Sequence, residues 1–305
     1  MRSVRVVLEY FHPWPNSSGF HVAAAQGWYR ELDLEVDLRA FDPLRGDGLD
    51  YLLRGEAELA VFPSNRLLVR RALGQPLRGI AAINHRALET IQTTTATGIA
   101  RPAELAGRRV ALNPTPRGAA MLRHLVAYDG GDPDAVVLVD SGVRELGAAD
   151  IADGKVDAIF GGYWAWDVLF GGLHADEHIV WPVDEIGAPA YHSYLLGARD
   201  ETIDDEPELL RAFLAASERG FLAAALDPEL TLAVLERVMP YFPADVLAES
   251  LRLIAPTWTH DGRWGEQRDE LLGPYTAWLA AHGVLDDANA WMGATTNDLR
   301  PGLSR

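Results

Sequence analysis

Cysteine is absent from the chain. Its absence removes disulfides, thiol nucleophiles, thiolate metal ligands and lipid attachment through a cysteine. Lysine is almost absent as well, since Lys155 is the only one and arginine carries nearly all the positive charge. Acidic residues outnumber Lys and Arg by 44 to 27, a formal net charge of −17. That balance excludes sequence-independent binding to nucleic acid, which needs a basic face, and it opposes an anionic membrane surface. No apolar run approaches the roughly 18–20 residues of a membrane span, so no membrane insertion is expected. A secretory leader is missing too, because Met1-Arg2-Ser3 leads straight into the strand-like Val4–Leu8. The protein is then cytoplasmic if Met1 is its native start, and extracytoplasmic if a leader has been trimmed. There is no phosphate-binding Walker loop, no dinucleotide glycine fingerprint in a strand–helix context and no Gly-x-Ser-x-Gly elbow. No cofactor is expected.

What is present is an ordinary globular composition, 48% apolar and 23% charged over 305 residues, long enough for two lobes or one large domain. The first half alternates strand-like and helix-like segments. Val4–Leu8, Leu34–Leu38, Leu59–Phe62, Leu77–Ile83 and Thr90–Thr95 read as strands of a first sheet, with helices over Phe20–Leu32 and Gly48–Arg54 and a third starting at Ser64. A second unit starts near Ile99, with strands at Arg109–Leu112, Val136–Val139, Val156–Phe160 and Ile179–Trp181, and helices over Gly118–Tyr128 and Val143–Asp153. Ser193–Gly197 reads as a strand returning to the first unit. From Glu206 onward the pattern is purely helical: Glu206–Leu226, Pro228–Met239, Ala244–Ile254 and Glu266–His282. This punctuation predicts an α/β fold of mixed, mostly parallel sheets. The expected lobes are 1–95 with 193–305 and, between them, 96–192, joined by crossovers near 93–98 and 188–194.

Chemistry-bearing residues gather at strand C-terminal ends, where open α/β sheets bind ligands. After the strand ending at Phe160 come Gly161, Gly162, Tyr163, Trp164, Trp166 and Asp167, three rings and an acid suited to a flat, polar, possibly cationic molecule. The competing reading has Trp166 in the core and Asp167 capping the next helix. After the first strand, Trp14 can stack on a ring, Asn16 can hydrogen-bond it, and Ser17, Ser18 and Gly19 can present backbone donors; alternatively the loop is a capping turn. Thr115 and Arg117 open a helix whose N-terminal amides suit a phosphate, sulfonate or carboxylate. Ser64 and Asn65 can add a hydroxyl and an amide, although Ser64 also reads as a plain N-cap. His174-Ala175-Asp176-Glu177-His178 has the spacing of an inverted zinc-protease motif, but glycines before it and a strand after it leave no room for the helix that motif needs. No metal site is expected.

The order of several further elements resembles a known family. His21–Val36, the Leu53-Arg54-Gly55-Glu56-Ala57-Glu58-Leu59-Ala60-Val61 run, Leu105–Ala111, Asp153–Ala158, Glu206–Leu214 and Asp227-Pro228-Glu229 are similar, in sequence order, to elements of the type II periplasmic solute-binding proteins of ABC importers. Within them the chain looks most like the branch that binds sulfonates, nitrate and the pyrimidine precursor of thiamine. Pro13–Gly19 is similar to that branch's Trp/Pro-Asn loop. Tyr163–Asp167 is similar to its aromatic-plus-acid motif, with aspartate where glutamate is usual. The yeast-type pyrimidine synthases of this fold carry a cysteine-rich motif that is missing here.

The resemblance implies a two-lobed fold with the C-terminal helices packed on the first lobe, and a non-enzymatic protein that closes by hinge bending over a small aromatic heterocycle. A thiamine-precursor-like aminopyrimidine is the first candidate, and an ABC permease is the implied partner. In that role Trp14, Trp164 and Trp166 stack, and Asn16 and Asp167 orient the ring. Tyr191, His192 and Tyr194 lie at the return crossover, where members of the family contact ligand or form the hinge. Three alternatives stand beside it: a binder of a sulfonate-like anion, a ligand-sensing partner of a membrane signalling protein, and a cytoplasmic lyase or decarboxylase acting on a small aromatic acid. In that last reading His12, His85 or Asp167 serves as general acid–base.

Overall fold

Apolar runs and turn chemistry resolve into two compact units in a computed structural model of the chain, which describes residues 1–142, 146–170 and 176–300. The first unit comprises Met1–His85, Tyr191–Ala277 and 287–300; the second comprises Arg86–Ala190 with Trp278–Asp286. In chain order the first unit opens with β1 (Arg2–Val7), α1 (Ser18–Ala25), β2 (Leu34–Arg39), α2 (Gly48–Leu53), β3 (Leu59–Pro63), α3 (Ser64–Ala72) and β4 (Leu77–Ala82). The second unit carries β5 (Glu89–Thr94), β6 (Arg109–Leu112), α4 (Pro116–Tyr128), β7 (Val137–Asp140), α5 (Ala148–Ala152), β8 (Ala158–Tyr163) and β9 (His178–Pro182). The chain returns through β10 (Tyr194–Arg199), α6 (Asp200–Asp205), α7 (Pro207–Leu226), α8 (Pro228–Val238) and α9 (Ala244–Ile254). A short hairpin, β11 (Thr259–His260) and β12 (Arg263–Trp264), precedes α10 (Asp269–Ala281).

Each unit holds one five-stranded sheet, ordered β2-β1-β3-β10-β4 in the first and β7-β6-β8-β5-β9 in the second. β1 runs parallel to β2 and β3, while β10 is antiparallel to both of its neighbours. Likewise β6 is parallel to β7 and β8, and β5 is antiparallel to β8 and β9. β3 shows why no polar alternation was needed: Leu59, Ala60, Val61 and Phe62 are all buried, as a central strand covered on both faces requires.

Local chemistry sets the helix ends. Asp47 accepts from the amides of Leu49 and Asp50, and Asp50 accepts back from the Asp47 amide, a reciprocal cap on α2. Thr115 caps α4 with Pro116 in its first turn. Helices α1 and α7 approach each other tightly at two glycines. A Cβ on Gly220 would lie 2.0 Å from the Gly19 carbonyl oxygen, and one on Gly19 would lie 2.2 Å from the Phe221 ring. Around that contact Phe20, Phe213, Phe221, Trp258 and Trp264 are buried, with Phe221 stacked on Trp264 at 4.9 Å. Each such ring stabilises the unit by about 1.5–3 kcal/mol relative to exposure.

Four sequence expectations need correction. Residues 90–95 do not complete the first sheet: β5 bonds to β8 and β9, so the first crossover falls at 85/86, while the return at 190/191 lies within the expected 188–194. The helix expected over Phe20–Leu32 ends at Ala25, because Gly27 turns the chain at φ 76° and a left-handed residue cannot continue a right-handed helix. The C-terminal region is not purely helical. Asp261 and Gly262, at φ 51° and 72°, make the left-handed pair of a tight hairpin turn, and α10 begins only at Asp269. Ser64 is the first residue of α3 and not its N-cap, because the extended residue before the helix is Pro63; the Ser64 hydroxyl makes no cap bond and has no partner. Part of the helix expected over Val143–Asp153, and His174 and Ala175 of the zinc-like motif, fall outside the described residues; Ala148–Ala152 of the former is α5.

Candidate ligand-binding site

In the first unit the strand ends converge on a buried acid that sequence reasoning passed over. Just beyond β1, Glu9 is 6% exposed. The loop after it folds back as a single 3-10 turn, Pro15–Ser17, which aims polar side chains inward. Asn16 Nδ2 donates to Glu9 Oε1 at 2.8 Å, and the Ser17 hydroxyl lies 3.1 and 3.2 Å from the two carboxylate oxygens. Burial raises the Glu9 carboxyl above the ordinary carboxylate range, and hydrogen bonds from its own backbone amide, Asn16, Ser17 and Trp14 oppose the rise only in part.

The network continues inward. Asn84, just past β4, donates to Asn16 Oδ1 at 2.7 Å and to the Thr257 hydroxyl at 2.8 Å, while Trp258 Nε1 also donates to Asn16 Oδ1. His192, wholly buried ahead of β10, accepts the Arg268 amide at Nε2, so its Nδ1–H donates to the Asn84 carbonyl. Both nitrogens are thereby committed to the neutral ring, and burial pushes its pKa down to about 4. Glu9, Ser64, Asn65 and Asn84 follow β1, β3 and β4, and His192 precedes antiparallel β10, so all five stand at one edge of one sheet.

Of the residues singled out in the first loop, Trp14 is 1% exposed and its side chain lies close enough to the Glu9 carboxyl to favour its charged form. Asn16 and Ser17 reach inward to the same carboxylate, and Gly19 serves the α1–α7 contact. Tyr10 and His12 join Trp14 in a run of ring contacts that extends to Phe242. Asn65 is half-buried beside the unpartnered Ser64 hydroxyl. Glu9 and Asn84 were missed although a signal existed for both: a polar side chain immediately after an apolar strand, at the end where ligands bind.

The second unit repeats the arrangement at the C-terminal ends of β6 and β8. Gly161 and Gly162, inside β8, adopt φ 109° and 69°, at the irregularity where the pairing of β8 with β5 shifts register. Asp167 Oδ2 then accepts the Tyr163 amide at 2.6 Å. Tyr163 is half-buried, and Trp166 is in the core at 1% exposed, edge-on to Phe170. Trp164 is half-buried, its Nε1 donating to the Ala87 carbonyl and its ring lying 4.8 Å from the Arg86 guanidinium, which a bidentate pair to Asp184 holds in place. Thr115 is exposed and spends its hydroxyl on the Gly118 amide. Arg117 is 7% exposed and pairs with Glu89, which already supplies this helix N-terminus with a carboxylate. Among the described residues no group of three or more His, Cys, Asp or Glu could hold a metal ion.

Comparison with known proteins now decides the relationship. The family described as NMT1/THI5 like matches residues 14–231. The chain belongs to the NMT1/THI5-like family. Its relatives include a formylaminopyrimidine-binding protein of Halalkalibacterium halodurans, 28% identical over 94% of this chain and 87% of that protein. A putative thiamine biosynthesis protein of Haemophilus influenzae is 24% identical over 71% of this chain and 67% of that one. Among solved structures, the periplasmic aliphatic sulphonate binding protein of Escherichia coli superposes with a TM-score of 0.72 at 15% identity, covering 98% of this chain and 99% of that one. The NMT1/THI5-like chain therefore has the periplasmic binding protein fold, an α/β architecture whose sheets are flanked by helices.

Proposed function

We propose that the protein is the solute-binding component of an ABC importer and that its ligand is a small aminopyrimidine of the kind from which thiamine's pyrimidine half is made. The single observation that carries this reading is Glu9. A carboxylate at the ligand-binding edge of a sheet, kept from solvent and oriented by Asn16, Ser17 and Trp14, suits a partner that presents N–H groups. Glu9 Oε2 accepts from Ser17, and a carboxylate with about four acceptor positions suits an exocyclic amino group or a protonated ring nitrogen. A sulfonate or carboxylate ligand would meet repulsion from an ionised Glu9, and Arg117, the cation expected to attract one, is already paired with Glu89. The relative named for formylaminopyrimidine binding supports the same class.

The test is direct binding of formylaminopyrimidine, a 4-aminopyrimidine without the formyl group, and an alkanesulfonate, followed by equilibrium dialysis. Aminopyrimidine binding that is lost in Glu9→Gln supports the reading. Binding of the sulfonate alone overturns it.

A further inference from the structure

The Asn16 amide has two orientations that differ in which end meets Glu9, and the residues behind it permit one. Thr257, at the end of the single turn after α9, gives its hydroxyl hydrogen to the Ile254 carbonyl at 2.8 Å. Toward Asn84 that oxygen can only accept, which turns the Asn84 NH2 to it, 2.8 Å away. The same NH2 also donates to Asn16 at 2.7 Å, so the end of Asn16 that faces Asn84 is its oxygen. Trp258 imposes the same choice independently, because an indole N–H can only donate and Trp258 Nε1 lies 3.2 Å from that oxygen. Asn16 is left with its own NH2 aimed at Glu9 Oε1, 2.8 Å away, and at Asn84 Oδ1, 3.3 Å away. Asn84 is itself anchored through its main chain, whose carbonyl accepts from His192 Nδ1 and whose amide donates to the Tyr194 carbonyl.

A turned Asn16 would present its oxygen to the Glu9 carboxylate and its NH2 to the donors of Asn84 and Trp258. Asn16, Asn84, Thr257 and Trp258 are all buried, so solvent could not relieve the mismatch. The direction decides what Glu9 reads. An N–H on its inner oxygen favours the anion, an acceptor toward any ligand. A carbonyl oxygen in that place would favour the protonated acid, whose O–H donates. The anion suits an exocyclic amino group, and it sets lone pair against lone pair where a carbonyl replaces that group. We propose that Thr257, Asn84 and Trp258 are positioning residues that lock the Asn16 amide with its N–H on Glu9, and that this lock makes the site select a 4-aminopyrimidine over the matching 4-pyrimidinone. The selectivity rests on Glu9 as the ligand's acceptor, the reading proposed for this site; the lock does not.

The experiment titrates formylaminopyrimidine, and the 4-pyrimidinone that matches it in every other substituent, into the unaltered full chain and into Thr257→Val, Thr257→Ser and Trp258→Phe, with unfolding curves on the same samples. The unaltered protein should prefer the amino compound by about a hundredfold or more. That ratio should shrink by about tenfold in Thr257→Val and in Trp258→Phe, and return in Thr257→Ser, which restores the hydroxyl. A merely structural role would weaken both compounds alike and leave the ratio unmoved, and that result overturns the proposal. Side-chain amide NMR of the unaltered, ligand-free protein gives a second readout. The Asn16 hydrogens should exchange slowly with solvent, being held by Glu9 and Asn84, and fast exchange overturns the lock even if every variant fails to fold. Absence of aminopyrimidine binding to the unaltered protein, or full affinity in Glu9→Gln, would instead remove Glu9 as the ligand's acceptor and the selectivity with it, while slow exchange would still uphold the lock.

Discussion

Lowering the pH from 7.5 to 5.5 should destabilise this protein far more than its surface charge would suggest, because three histidines are held neutral inside it. Burial pushes His21 and His192 down to about 4 and His85 down to about 3. His21 Nε2 and both nitrogens of His85 have no hydrogen-bond partner, and His85 also sits against the rings of His192 and His260. A histidine with a depressed folded-state pKa contributes stability that is present above its unfolded value near 6.5 and lost as the pH falls toward the folded value. Between pH 7.5 and 5.5 each of the three loses about 1.3 kcal/mol, roughly 4 kcal/mol together. Glu9 works in the opposite sense. Its carboxyl is raised, so its ionisation costs stability above the unfolded carboxylate range and relents as the pH falls, which offsets part of the roughly 4 kcal/mol. Urea unfolding followed by tryptophan fluorescence at the two pH values reads the difference, and a midpoint drop of roughly 1 M is expected for a slope of about 3 kcal/mol/M. His85→Leu should remove about a third of the pH dependence and raise stability at pH 7.5 by about 1 kcal/mol, since it deletes an unpaired buried polar ring. A total change below about 1 kcal/mol, or an unaltered pH dependence in His85→Leu, would refute the reasoning.

Other perturbations separate packing from ligand contact. Gly220→Ala forces a methyl group onto the Gly19 carbonyl and should cost about 3 kcal/mol in thermal or urea unfolding. Trp166→Ala empties a core position and should cost about 3–5 kcal/mol, whereas Trp164→Ala, at a half-buried ring, should cost much less stability and chiefly weaken ligand binding by titration. Asp47→Ala removes the reciprocal cap of α2 and a pair with Arg66, for a loss of about 1 kcal/mol by urea unfolding.

The sequence made the fold legible because its periodicities and punctuation agree with the structure nearly everywhere: apolar β1 and β3, Pro116 and Pro207 in the first turns of α4 and α7, and Asp-Gly at the hairpin turn. That last signal was in plain view at Asp261-Gly262 and was overlooked because each flanking strand has only two residues. The sheet to which β5 belongs was not legible, since an isolated run such as Thr90–Thr95 carries nothing about which strands it will pair with. Side-chain direction was the larger gap at the site. Trp14, Asn16 and Ser17 were recognised by type and spacing, yet the acid they serve, Glu9, could be picked out only once a 3-10 turn had folded the loop back onto it. Arg117 looked like an anion anchor until Glu89, brought near by the antiparallel pairing of β5 with β8, was found against it.

The most direct test of the central claim is the affinity of formylaminopyrimidine for the wild-type protein and for Glu9→Gln, measured by isothermal titration at neutral pH, with unfolding curves taken on the same samples. The account predicts saturable binding that weakens by roughly 10- to 100-fold in Glu9→Gln, the worth of about 1.5–3 kcal/mol for hydrogen bonds to a charged acceptor. It also predicts that the variant is at least as stable as the wild type, because burial disfavours the charge that the substitution removes. Equal affinity in the two proteins, or no aminopyrimidine binding alongside tight binding of an alkanesulfonate, would contradict it.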